Sequence, residues 1–135
     1  MPVTARAVPT HVGSPSVPAL LVAAYGGPAL AVTAVAALLA LRADLHPLDA
    51  LAVTAAVVTG QLTIGWGNGL LDPRRDRAVG RTDKPLATGA LPVGRVVPAL
   101  VVAAFACLVL SALADWRSAL VNTTLATGAG HAYNI

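Results

Sequence analysis

Charge is scarce in this chain: 11% of its 135 residues are charged, against about 25% in an ordinary soluble domain. That leaves too little polar surface to face water. Glutamate is missing, so all 6 acidic residues are aspartates, and Lys84 is the only lysine. Both biases fit a GC-rich coding preference and have no functional meaning. Cys107 is the single cysteine, which excludes an intrachain disulfide and leaves the redox compartment open. Period-two alternation is absent from the apolar runs, which argues against transmembrane strands. No internal repeat is present. The net charge of +3 and pI near 9.8 would suggest nucleic acid in a soluble protein. Here membrane topology explains them better, and no nucleic-acid partner is expected.

What the chain has in abundance is apolar sequence: 56% hydrophobic residues, with mean hydropathy +0.74. A bilayer core about 30 Å thick needs roughly 20 helical residues. Four runs are read as spans: 17–41, 50–71, 96–114 and 118–135. Gly26, Gly27 and Pro28 should kink the first. Residues 1–16, rich in Pro, Ser and Thr, read as a flexible tail. The apolar run after the tail is longer than a signal-peptide core, so no cleavage is expected. The expected fold class is all-α, a multi-pass membrane helix bundle in the lipid bilayer.

The charges orient that bundle. Arg74, Arg75, Arg77, Arg81, Lys84 and Arg95 lie in one loop and make up six of the 9 basic residues. A Lys/Arg excess marks the cytoplasmic side. The expectation is therefore a plasma (inner) membrane protein with its N-terminus and basic loop cytoplasmic. The fourth span then returns toward the cytoplasm and brings Tyr133 to the face of the basic loop. Thr124, Thr127, His131 and Asn134 follow helical spacing and should share one face of that span. They serve either interhelical hydrogen bonding or a polar cavity wall. Ala52, Ala56 and Gly60, and also Gly65 and Gly69, sit four apart and suit close helix packing.

The stretch that carries chemistry runs from Gly65 to Gly89. Asn68, Asp72 and Asp76 are spaced by four, so a continuous helix would stack them with Cβ atoms about 5–6 Å apart. Two carboxylates and an amide oxygen suit a hard divalent cation such as Mg²⁺, which shares its sphere with substrate phosphates. Five basic residues follow between Arg74 and Lys84, and arginine grips diphosphate oxygens bidentately. A second reading stays open. Asp72-Pro73 is also a helix-start signal, and the arginines then set topology alone. Asn68 weighs against it, because an unused amide inside an apolar run is costly.

Asn68-x-x-x-Asp72-x-x-x-Asp76, followed by Gly80-Arg81-x-Asp83-Lys84-Pro85-Leu86, resembles the first aspartate-rich motif of the UbiA-type intramembrane prenyltransferases. Ala132-Tyr133-Asn134 resembles the segment that opens the family's Y-x-x-x-K element. The resemblance implies that Asp72, Asp76 and Asn68 bind Mg²⁺ bridged to a prenyl diphosphate, with Asp72 and Asp76 as the catalytic pair. It implies that Arg81 and Lys84 neutralise the departing diphosphate and that Tyr133 lies near the same substrate. Metal and cations stabilise the leaving group as the allylic C–O bond ionises. A dry chamber then protects the carbocation until an aromatic or lipid-like acceptor takes it.

The chain departs from the family pattern in three ways. Gly69 stands where an aspartate is usual. Pro73 interrupts the ladder. No second aspartate-rich motif follows, since Asp115 is the only acidic residue after Asp83. Four helices of an expected bundle of about nine, ending inside a span, read as the N-terminal half of such an enzyme, expected to be inactive alone as a Mg²⁺-dependent transferase. Such a piece would await a missing C-terminal half or associate with itself. The rivals are a non-catalytic fragment or pseudoenzyme keeping half a diphosphate site, an alcohol phosphatidyltransferase, and a structural membrane subunit. The phosphatidyltransferase pattern D-G-x-x-A-R is not found before Asp72. The structural subunit leaves Asn68, Asp72 and Asp76 in register without an account.

The orientation is testable. Cysteines introduced as Ala78→Cys and Thr88→Cys should react with an impermeant maleimide only when the cytoplasmic side is open. Labelling in intact cells would reverse the topology.

Overall fold

The structure, a computed structural model, describes residues 17–24, 26–71 and 73–133. The tail 1–16, Asp72 and Asn134 lie outside the described residues. Among those described, every regular element is helical, as long Ala- and Leu-rich runs without alternation require.

The first apolar run is two helices, α1 (Val17–Ala23) and α2 (Gly26–Arg42), bent by 86° at a break just ahead of Gly27-Pro28. α3 (Pro47–Leu71) starts three residues before the expected span, because Pro47 takes the first helical position and its missing N–H has no partner to lose there. The N–H groups of Asp49 and Ala50 bond the His46 carbonyl and close the first turn. α4 (Pro73–Ala78) and the single turn α5 (Pro85–Thr88) occupy the basic segment. α6 runs from Val93 to Ala114, with Pro92 as N-cap.

α3 and α6 are long and apolar enough to cross a membrane, and the bent α1–α2 pair makes a third crossing if it counts as one span. At 1.5 Å per residue, the 25 residues of α3 reach roughly 37 Å. The fourth expected span is assembled from α7 (Trp116–Val121), a π-helical stretch (Asn122–Thr127) and α8 (Gly128–Tyr133). None of the three is long enough to cross alone.

α3 is the central column, packed by α6, α2, α1 and the terminal helix. Leu30, Leu38, Leu51, Val102, Phe105 and Leu113 remain exposed, the outward face expected of a bundle in lipid. Hydroxyls inside α3 are satisfied by the helix itself. Thr54, Thr59 and Thr63 donate to the carbonyls of Ala50, Ala55 and Gly60 at 2.8, 2.9 and 2.7 Å, as a low-dielectric surrounding demands.

The tightest packing lies at one end of α3. Ala24, Trp66, Leu86, Leu91, Val96 and Ala103 form the buried cluster. Trp66 Nε1 donates to the Leu20 carbonyl at 2.9 Å, tying α1 to α3. Beside it the Ala24 backbone lies directly on Gly65, where any Cβ would fall inside the Ala24 carbonyl. Backbone cannot swing aside as a side chain can, so only glycine fits.

Gly65→Ala should therefore destabilise the chain by about 2–3 kcal/mol through overpacking. Gly94→Ala, whose Cβ meets nothing within 4 Å, should be neutral or slightly stabilising. Thermal unfolding in detergent compares the two. Equal effects would mean that the α1 contact is not tight.

Candidate functional site

The basic segment folds back onto the end of α3. α4 closes with paired bonds from Gly80 N–H to the Arg77 carbonyl (3.1 Å) and from Arg81 N–H to the Asp76 carbonyl (2.9 Å). That is a Schellman ending, and it needs the left-handed backbone seen at Gly80 (φ 68°). The reversal sends residues 81–84 back past α4. α5 then docks by Leu86, whose Cδ1 would lie 2.7 Å from a Cβ at position 69. Gly69 is thus the notch for Leu86, which gives a packing reason for glycine where the resembling family has aspartate.

This return brings Lys84 to Asp76. Lys84 Nζ and Asp76 Oδ2 are 2.7 Å apart, with side chains 18% and 10% exposed. The ammonium approaches outside hydrogen-bonding angles, so the buried Oδ2 is neutralised by charge but unmet as an acceptor. Asn68, half-buried on α3, and Lys84 line one small cleft together with Gly65, Gly69, Asp83 and Leu86. Its volume is about 20 Å³, room for roughly one water molecule.

The remaining sequence candidates fall as follows. Asp72 lies outside the described residues, between the last residue of α3, Leu71, and the first of α4, Pro73. Arg81 forks onto Asp83 through Nε–Oδ1 and Nη2–Oδ2, both 3.2 Å, at an exposed position. That bond from Arg81 is the chief cause holding the Asp83 carboxyl below its usual 3.8. Tyr133 is 92% exposed and is not among the cleft's lining residues. Asp83, which sequence spacing puts off the ladder, does line the cleft.

A second polar constellation lies on another face of α3. His131 packs over Gly67, and its Nε2 lies 3.4 Å from Thr63 Oγ1. Thr63 already donates its hydroxyl hydrogen to Gly60, so in this contact His131 Nε2 acts as donor. Asn122 Nδ2 donates to Ser111 Oγ at 2.9 Å. Thr127 faces Gly60. The inward face is therefore Asn122, Thr127 and His131, whereas Thr124 is exposed and bonds its own helix at Leu120. The wider π turns between 122 and 127 shift the register that simple α spacing predicts. This terminal helix runs alongside α3 with Thr127 near Gly60 and His131 near Gly67, so Tyr133 ends at the level of Asn68.

Among the described residues, no three His, Cys or Asp side chains converge as a metal site. The local donors are nevertheless hard oxygens, and Asp76 Oδ2 has a lone pair without an aligned partner. A divalent cation suits them, in competition with Lys84 for the same oxygen.

Removing one member of a largely buried pair strands the other charge. Asp76→Asn and Lys84→Met should each cost about 3 kcal/mol or more, and the double variant should recover much of that loss. Additive losses in a thermal-unfolding cycle would show that the pair contributes no coupling. No protein-family model matches the chain, and no curated protein or solved structure matches it.

Proposed function

We propose that this chain is the diphosphate-binding part of a UbiA-type membrane prenyltransferase, one that moves a prenyl group from an allylic diphosphate to an aromatic or lipid-like acceptor. The observation that carries this reading is the return of Lys84 to within 2.7 Å of the buried Asp76. The two halves of the resembling motif, one on the α3–α4 side and one in the loop, are thereby in contact. Asn68 lies in the same cleft as Lys84.

In this proposal Asp76, Asp72 and Asn68 hold Mg²⁺, which supplies Lewis-acid stabilisation of the leaving diphosphate. Asn68 and Lys84 line the small cleft and Asp76 adjoins it through Lys84, so the diphosphate sits at its mouth. Lys84 exchanges its partner Asp76 for a phosphate oxygen, and Arg81 exchanges Asp83 for another. Each exchange replaces one charge-assisted contact by another, so little new desolvation is involved. The apolar bundle excludes water from the ionising carbon. Tyr133, at the level of Asn68, stands on the same side as the departing group.

By the same resemblance, four spans of this chain would contribute to a bundle of about nine. The basic loop and N-terminus would face the cytoplasm of a plasma (inner) membrane. A non-catalytic half-site is the second reading. It is favoured by the existing Asp76–Lys84 pair, which satisfies the charges without any ligand.

Calorimetric titration of the detergent-solubilised full chain with farnesyl diphosphate separates the readings. Binding should require Mg²⁺ and should fall at least tenfold, about 1.4 kcal/mol, in Asp76→Asn and in Asp72→Asn. Asp83→Asn should matter much less. Equal losses in all three would mean diffuse charge, and binding indifferent to Mg²⁺ would leave no coordinated ion.

A further inference from the structure

The end of the bundle away from Asp76 holds a different constellation. α6 runs antiparallel to α3: Val96 packs in the cluster that holds Trp66, Cys107 faces Gly60, and Ser111 and Ala114 lie beside Ala56 and Val53. Trp116 and Arg117, just past the end of α6, therefore stand at the level of the first third of α3. Between these elements opens an apolar cleft of about 380 Å³, walled by Val53, Val57, Ala114 and Val121. That volume lies in the range of small-ligand sites.

The cleft's polar groups are satisfied from within. The Asn122 amide is engaged by Ser111 Oγ at 2.9 Å and Cys107 Sγ at 3.5 Å. The wall consequently offers hydrocarbon surface with little demand for water. One charge stands on this wall, Arg117. Its guanidinium has no carboxylate within ion-pair distance among the described residues. The nearest candidate, Asp115, instead accepts from the Arg117 backbone N–H at 3.2 Å. The guanidinium packs against the exposed Trp116 ring, 5.4 Å from its centroid. Tryptophan and arginine together mark a membrane–water interface.

We propose that this cleft binds one anionic phospholipid of the bilayer, with an acyl chain between Val57 and Val121 and its phosphate on Arg117. Charge complementarity selects the occupant. A guanidinium beside hydrocarbon, with no carboxylate partner among the described residues, matches a molecule that is apolar along its length and anionic at one end, and arginine takes phosphate bidentately. A zwitterionic lipid fits the groove but carries its own cation beside the phosphate, which weakens the contact. The site is independent of the Asp76 end and of any prenyl transfer.

Native mass spectrometry of the full chain released from detergent tests this, with phosphatidylglycerol, phosphatidylcholine and inorganic phosphate as probes. One phosphatidylglycerol should be retained at least fivefold more tightly than phosphatidylcholine. Arg117→Gln should abolish that preference, whereas Arg95→Gln at the opposite end should leave it. Val57→Trp, which fills the groove and keeps the guanidinium, should block the adduct even if Arg117→Gln fails to fold. Three results would overturn the proposal: equal retention of both lipids, equal loss in Arg117→Gln and Arg95→Gln, or displacement of the lipid by inorganic phosphate alone.

Discussion

The architecture of one end of this molecule depends on how closely other segments approach α3 between Gly65 and Gly69. Three different parts of the chain meet that helix within about a turn and a half: the Ala24 backbone at Gly65, the His131 ring at Gly67 and the Leu86 side chain at Gly69. Gly65 and Gly69 share one side of the helix and Gly67 lies on the other, so α3 works as a core around which α1, the return loop and α8 are gathered. Trp66 adds the one large side chain in this run, and its indole N–H ties down α1. In a bilayer there is no hydrophobic drive to press helices together, so such close backbone approach is the main source of association.

Charge then acts on a scaffold already closed by packing. Leu86 in its notch places Lys84, and Lys84 neutralises Asp76 in a largely buried position. Isolated, either charge would be expensive to bury. As a pair they neutralise one another. Any external cation at Asp76 has to be worth more than that ammonium contact, and a ligand rich in anionic oxygens helps by giving Lys84 somewhere else to go.

Much of the fold was legible because hydropathy and residue type report directly on helices in lipid. The long runs around α3 and α6 were visible, and so was a disturbance near Gly26-Gly27-Pro28. Boundaries were less legible where charge was taken as an end: Asp49 sits inside the first turn of α3, because Pro47 and not polarity sets its start. In the site, Asn68, Asp76 and Lys84 were recognisable as chemistry, yet the Asp76–Lys84 contact was not. It depends on a left-handed Gly80 and on a notch eleven positions earlier, and neither acts through helical spacing. The signal was present in Ala78-Val79-Gly80, a run that suits a helix ending with glycine. The polar face of the terminal helix was misread for a different reason: regular α spacing was assumed across a stretch that winds more widely.

That wide stretch has a consequence for how position relates to numbering. A π turn accommodates an additional residue in a helix without breaking it, and one residue corresponds to about 100° of rotation. Everything beyond Thr127 is therefore out of phase with everything before Asn122. The count of residues brings His131 to Thr63 and Gly67, and the hydrogen bond to Thr63 forms once it is there. The chain has a built-in phase shifter, and one deletion within it would swing the histidine away from α3 while leaving the histidine itself and the remaining side chains chemically intact.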